Sequence, residues 1–166
     1  WSVTTSALQE GTHNLYARVT DVAGNVSPDS TTSSITVDTT APSTPASLDL
    51  AAGSDTGDSD SDDVTNDATP DISGTAEASS SIAVTSDLDG SIGSATADGS
   101  GDWSITASTL QEGAHSLTAT ATDTAGNASS ASTALSATVD TTSPTVSAVG
   151  ATTADGTYGV GDAVDV

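Results

Sequence analysis

The feature that most constrains the fold is an internal repeat. The segment WSVTTSALQEGTHNLYARVTDVAGN begins at Trp1, and WSITASTLQEGAHSLTATATDTAGN begins at Trp103, which gives a period of 102 residues. The two copies continue without a gap through SITVDTTAP (34–42) and SATVDTTSP (136–144). A repeat of about 100 residues has the size of one small β-sandwich domain. The chain is therefore predicted to hold tandem domains.

The repeat divides the chain into one complete unit and two partial ones. Residues 43–140 form the complete unit, and residues 1–42 match only its back part. Residues 141–166 open a further unit, whose SPTVSAVGATTADGTYGVG does not match the start of the complete one. We therefore expect a following unit of a different type. Because both ends fall inside units, we expect a segment of a longer protein.

Alternating hydrophobicity predicts the strands. In HSLTATATD (115–123) every second residue is apolar, and HNLYARVTD (13–21) keeps that pattern. Helix start and stop signals are absent, and Thr and Val suit a pleated surface. The complete unit is predicted to be an all-β, immunoglobulin-like antiparallel sandwich of seven strands near 46–50, 71–76, 81–86, 92–97, 103–107, 115–122 and 131–139. Residues 1–38 should form the last three strands of the same pattern.

Periodicity also predicts which side chains face inward. The expected core residues of the complete unit are Trp103, Ile105, Leu117, Ala119, Leu135 and Val139. Trp1 should pack like Trp103, whereas His13 and His115 are expected at a strand corner with a satisfied ring nitrogen. No nucleophile–base pairing, phosphate-binding loop or paired histidine ligands appear, so no enzymatic activity is predicted.

Antiparallel strand order would gather the acidic residues at the two ends of the sandwich. The loop 51–70 should share one end with Asp87, Asp89, Glu112 and Asp140. The other end should collect Glu77, Asp98, Asp102, Asp123 and Asn127. These are the ends at which consecutive units meet.

The charge balance excludes several classes of partner. The chain has 23 acidic residues against one basic residue, Arg18, and a formal net charge of -22. Nucleic acid is excluded because nothing neutralises its phosphates, and an anionic membrane would repel the chain, so no direct membrane contact is expected. The absence of cysteine excludes disulfides and thiolate metal sites.

The stretch GSDTGDSDSDDVTNDATPD (53–71) concentrates seven Asp residues without a basic residue. A hard cation would relieve their mutual repulsion, and calcium prefers six to eight oxygen ligands. The candidate ligands are Asp55, Asp58, Asp60, Asp62 and Asp63. An EF-hand is rejected because its required Gly and Glu positions hold Asp63 and Thr69 and the flanks are strands. The alternative is a solvated acidic loop.

Two further acidic motifs allow two interpretations each. Asp38 and Asp140 in VDTTAP and VDTTSP either cap the end of the last strand or join a calcium site between units. Asp21 and Asp123 in TDVAGN and TDTAGN are favoured as hairpin-turn residues. Their second interpretation is a contribution to a neighbouring calcium site.

Together, these motifs resemble the bacterial Ig-like repeats of very large secreted adhesins and biofilm-associated proteins. The resemblance rests on SDTGDSDSDDVTNDATPDISGTAE, DGSGDWSI, LQEGAHSLTATATDTAGN and VDTTSP, and it covers about 1–144. It implies a non-enzymatic stalk between a cell-surface anchor and a distal binding tip, stiffened by extracellular calcium. It also implies a bacterial protein that is secreted or displayed on the cell surface.

Two other functions remain open at the level of sequence. Incomplete sandwiches could complete one another between chains by strand addition, which would make the protein a filament subunit. A carbohydrate-binding module ranks third, because such modules need exposed aromatic residues. The expected partners are therefore the neighbouring repeats of the same chain or, for the filament, other copies of it.

Overall fold

The computed structural model describes residues 2–147, and all of its regular elements are strands. No helix within that range could cross a membrane. The ten strands are β1 (Gly11–Leu15), β2 (Ser33–Val37), β3 (Ala46–Leu50), β4 (Val64–Thr65), β5 (Asp71–Thr75), β6 (Ser81–Ser86), β7 (Gly90–Thr96), β8 (Asp102–Thr106), β9 (Gly113–Thr122) and β10 (Leu135–Val139).

The complete unit is a sandwich of two sheets. One sheet has the order β4-β10-β9-β6-β7, and the other has the order β3-β5-β8. All pairings are antiparallel except that of β4 with β10. The all-β, immunoglobulin-like class is confirmed, and all seven predicted strands are present.

Two details of the strand prediction were wrong. The short strand β4 was missed because two residues inside an Asp-rich loop show no alternation. The last strand begins at Leu135 rather than at residue 131. Upstream of it, the Ser132 backbone N–H still bonds to the Ala119 carbonyl at 2.9 Å, so the chain stays beside β9 without regular pairing.

The core lies between the two sheets, where the inward faces meet. Ile72, Ile82, Val84 and Leu117 are 0% exposed. The predicted inward residues are buried, except that Leu135 is only partly buried and packs against the core from its edge. Small residues let the layers approach, and Gly93 on β7 lies so close to Ile105 on β8 of the other sheet that a Cβ there would overlap it.

The preceding partial unit forms only part of its expected pattern. β1 and β2 pair antiparallel from Gly11↔Val37, which reproduces the Gly113↔Val139 register of β9 and β10. Residues 2–9 form no strand, so the expected counterpart of β8 was wrong. In the complete unit β8 is held by pairing with β5, and residues 2–42 contain no equivalent of β5.

The two ends of the sandwich have the predicted composition. The Asp140 N–H bonds to the Thr65 carbonyl at 2.9 Å, which places the exit of β10 beside the acidic loop. Gln111 donates its side-chain amide to Asp89 at 2.9 Å at the same end. The predictions for Trp1 and for most of the unit beginning at residue 141 concern positions outside the described residues.

Candidate cation site and repeat junction

The acidic loop 51–70 is folded onto the sandwich. Ser54 and Thr65 are buried, and the Thr65 hydroxyl donates to the Ser54 carbonyl. The Ser54 hydroxyl in turn accepts the Asp71 N–H at 2.9 Å, at the start of β5. This network fixes the positions of the neighbouring Asp residues, so the loop is ordered against the sandwich.

Two carboxylates of the loop are drawn inward. Asp55 is 5% exposed, and its Oδ2 accepts the Asp63 N–H at 3.3 Å. The Oδ1 atoms of Asp55 and Asp63 are both buried and have no hydrogen-bond partner. A buried polar atom without a partner carries a desolvation cost that folding normally avoids. These two oxygens are therefore the atoms of the loop at which a compensating group would relieve the largest cost.

The charge environment of Asp63 points the same way. Burial raises the pKa of its carboxyl above the ordinary value of 3.8, and the negative charges of Asp49, Asp55 and Asp62 raise the pKa further. Asp63 also has a backbone φ of 58°, in the left-handed region that Asp and Asn tolerate better than most residues. The folded protein thus holds the Asp63 carboxyl where burial and neighbouring negative charges destabilise its ionised form.

The other predicted ligands of the loop differ from this pair because their side chains are exposed to solvent. Asp58, Asp60 and Asp62 are exposed, and Asp62 accepts the Val64 N–H at 3.2 Å. Asp49, on β3, was missed because a single Asp in an alternating strand looks like an ordinary solvent-facing residue. Within residues 2–147 no three His, Asp or Glu side chains converge as metal ligands.

The carboxylate oxygens of Asp55 and Asp63 are donors of the kind that a hard cation binds. Carboxylate oxygens are ligands that calcium prefers, and carbonyl oxygens and water supply the remainder in many sites. Asp55 and Asp63 would contribute their unpartnered oxygens. These two buried oxygens, which have no donor partner, are better matched by a cation than by solvent alone.

The hairpin motifs form the same structure in both copies. Asp123 Oδ1 accepts the N–H groups of Ala125 and Asn127 at 2.8 and 2.9 Å, and its Oδ2 accepts the Asn127 side-chain amide at 2.8 Å. Asp21 has the equivalent bonds to Ala23 and Asn25. The side-chain bond from the Asn, followed by backbone bonds, lowers the pKa of each Asp. The geometry is that of the favoured turn interpretation.

The linker carboxylates also cap local backbone. Asp38 Oδ1 accepts the Thr40 N–H, and Asp140 Oδ1 accepts the Thr142 N–H, each at 3.0 Å. These bonds match the capping interpretation. A role of either Asp in a calcium site between units remains a prediction.

A second acidic residue ties each linker to the unit it leaves. Glu112, between β8 and β9, accepts the Thr141 N–H at 3.0 Å and the Thr141 and Thr142 hydroxyls. Glu10 accepts the equivalent groups of Thr39 and Thr40. The Thr side-chain bonds are the leading cause of the lowered pKa of each Glu. Sequence had placed Glu112 at this end, but its partners depend on the folded linker.

Residues 1–39 and 41–141 match the bacterial Ig-like domain family. The chain belongs to that family. It is a family of structural domains, and the chain is not an enzyme. A solved structure described as a biofilm associated protein, BSP domain, is similar at 22% identity and a TM-score of 0.39. The similarity covers 82% of this chain and 20% of that one, so this chain spans a fifth of its length. No curated protein matches.

The histidine of the complete Ig-like unit has the predicted corner role. His115 is 2% exposed, and its ring nitrogens lie 2.9 Å from the Gln111 carbonyl and 3.0 Å from the Ser86 hydroxyl. Asp89 lies 3.4 Å from the same Nδ1 that faces Ser86. Because Ser86 and Asp89 share one ring nitrogen, the imidazole cannot relay a proton between them as in a catalytic triad. The cluster joins two loops of the sandwich.

Proposed function

We propose that this chain is a stalk segment of a bacterial adhesin, displayed on or secreted from the cell. In this role, tandem Ig-like units hold a distal binding tip away from a surface anchor and bind no target themselves. The observation that carries the proposal is the repeated bonding of the linker to its own unit, by Glu10 in one copy and by Glu112 in the other. A linker bonded in this way extends the domain as a stiff rod, unlike a flexible tether.

The stalk function is tested in the full-length natural protein. Replacing the residues equivalent to 39–140 with a Gly/Ser segment of the same number of residues should reduce adhesion. A flexible coil holds neither a fixed end-to-end distance nor a fixed direction. A transplanted Ig-like repeat of the same length should restore adhesion. If the isolated 166-residue chain bound the target surface as well as the full protein does, the repeat would be a binding module and the stalk proposal would fail.

We further propose that calcium stiffens the stalk at the acidic loop. Support comes from the buried, unpartnered oxygens of Asp55 and Asp63 and from the raised pKa of Asp63. A cation there would cancel the charge that opposes folding. An ion that binds only the folded state stabilises it by roughly 2.7 kcal/mol at a hundredfold excess over its Kd.

Calorimetric titration of the chelator-treated chain with calcium tests this site. The double variant Asp55→Asn and Asp63→Asn should lose most of the binding heat. The matched control, Asp58→Asn with Asp60→Asn, removes the same charge from exposed positions of the same loop and should keep it. Magnesium should bind more weakly, because it demands octahedral geometry and gives up water reluctantly. No binding heat in the unmodified chain, or equal losses in both double variants, would leave the loop as a solvated acidic face.

A filament built by strand addition is the second candidate, and one surface favours it. Leu15, Val19 and Ile35 of the partial unit are 37%, 68% and 38% exposed, whereas their equivalents Leu117, Ala121 and Ala137 are at most 1% exposed. Strands from another copy could cover this apolar face. Sedimentation velocity over a wide concentration range tests it. Concentration-dependent assembly that Leu15→Asp abolishes would support the filament, and a monomer at all concentrations would refute it.

A further inference from the structure

One side chain crosses from the complete unit to the preceding one. Asn127, in the hairpin between β9 and β10, donates a side-chain N–H to the backbone carbonyl of Asp38 at 3.1 Å. Among residues 2–147 it is the one hydrogen bond between the segments 2–42 and 43–147. The acceptor is the first linker residue after β2. The bond therefore lies at the hinge about which the two units would turn.

The donor is held in place before it reaches across. Asn127 gives a hydrogen bond to Asp123 Oδ2 at 2.8 Å, and its backbone N–H bonds to Asp123 Oδ1. Gly126 has a φ of 95°, which allows the tight turn that brings these groups together. Because the amide is already ordered, little side-chain entropy is lost when it meets the linker.

The acceptor is held as well. Val37, the residue before Asp38, pairs with Gly11 in the β1–β2 ladder. Thr39, the residue after it, gives its N–H to Glu10. On the far side of the linker, Pro42 is buried. The Asp38 carbonyl is thus fixed to the preceding unit, and the Asn127 side-chain amide is fixed to the next unit.

The earlier copy has the same donor. Asn25 gives a hydrogen bond to Asp21 Oδ2 at 2.9 Å, as Asn127 does to Asp123. Each side-chain amide has two N–H groups, so one remains for a linker carbonyl. Within the described residues Asn25 donates no hydrogen bond to a linker carbonyl, which makes it a matched control for Asn127.

We propose that the Asp-x-x-x-Asn hairpin of each unit is a docking surface for the linker backbone of the preceding repeat. We name the bond between Asn127 and the Asp38 carbonyl the hairpin clasp. Because both of its groups are fixed on their own units, the clasp selects one angle between consecutive repeats. It uses no metal ion, so it acts separately from the calcium proposed for the acidic loop.

Distance measurements between two spin labels test the clasp. The chain has no cysteine, so Ser34→Cys on β2 and Ser104→Cys on β8 give two labels at exposed positions without background labelling. Pulsed electron resonance in chelator should show a narrow distance distribution for the parent chain. Asn127→Ala should broaden it. Asn25→Ala, which loses the equivalent bond within its own hairpin, should leave it unchanged.

A second variant tests whether the amide donor itself is needed. Asn127→Asp keeps the side-chain size but loses the donor to Asp38, and its carboxylate faces that of Asp123, so it should broaden the distribution at least as much as Asn127→Ala does. Circular dichroism should show an unchanged sandwich in both variants. Parent-like distributions in both variants would overturn the clasp. A parent chain that is broad in chelator and narrows only with calcium would also overturn it, while leaving the calcium proposal standing. A parent chain that is narrow in chelator and broadened by both variants would establish the clasp whatever calcium does.

Discussion

Asp63→Asn should stabilise the calcium-free protein. The native fold buries one Asp63 oxygen without a partner, beside the charge of Asp55 and near that of Asp49. Asn leaves a polar atom at this position but removes the charge, so it recovers part of the roughly 1–3 kcal/mol that an unpartnered buried polar group costs. Since Asp63 is only partly buried, solvent screening reduces the expected gain to about 1 kcal/mol. Asn keeps the side-chain shape and tolerates the left-handed backbone, so no strain offsets the gain.

The pH dependence gives this prediction a definite sign. The pKa of Asp63 is raised in the folded state, so the native form takes up a proton more readily than the unfolded chain. Its ionised carboxylate opposes folding at neutral pH, and that opposition is relieved as the pH falls through the raised pKa toward 3.8. The parent should therefore gain stability from this group on mild acidification. Asp63→Asn should lack that gain.

Thermal unfolding in chelator, followed by circular dichroism, measures the effect. A gain of about 1 kcal/mol corresponds to a rise in Tm of roughly 4–8 °C for a domain of this size. The control Asp60→Asn removes one charge at an exposed position of the same loop and should change stability by less than about 0.5 kcal/mol. With calcium added, the order should reverse, because the parent gains more from the ion. An unchanged or lower Tm for Asp63→Asn in chelator, or an equal rise for Asp60→Asn, would refute the reasoning.

Leu117→Ala should destabilise the chain by about 2–5 kcal/mol in urea unfolding, because this side chain is 0% exposed. Leu15→Ala, its 37% exposed equivalent, should cost under about 1 kcal/mol, and equal costs would mean that the partial unit has a covered core. Gly101→Ala should cost about 1–3 kcal/mol, because φ is 92° and a Cβ would overlap a backbone carbonyl, whereas Gly99→Ala, with open space around it, should be near neutral in the same assay. The NMR chemical shift of the Thr141 amide, which donates to Glu112, should change with a pH midpoint below the ordinary Glu pKa of 4.5. The pKa of Glu112 is lowered, so the bond is lost only when the pH falls through that lowered pKa. Glu112→Gln should abolish that titration, and a midpoint at or above 4.5 would contradict the lowered pKa.

Local pattern was sufficient to predict most strands of the complete unit. Alternation in HSLTATATD identified β9, and the inward positions Leu117 and Ala119 are both fully buried. The same pattern in HNLYARVTD correctly predicted that β1 pairs with β2. It did not predict that the apolar side chains of this segment, such as Leu15, are exposed. Alternation determines which face of a strand is apolar. Whether that face is covered depends on strands that lie far away in sequence, and for Leu15 they are absent from the described residues.

The candidate site shows the same division. The amino-acid sequence by itself determined a tandem all-β architecture, its acidic ends and the Asp-rich loop, because periodicity and charge density are local properties. The tertiary structure alone distinguished buried Asp55 from exposed Asp58, since burial depends on how the loop packs against the sheets. It also brought Asn127 to the Asp38 carbonyl across 89 positions of chain. Such a contact has no sequence signal, because it depends on the angle at which two folded units meet.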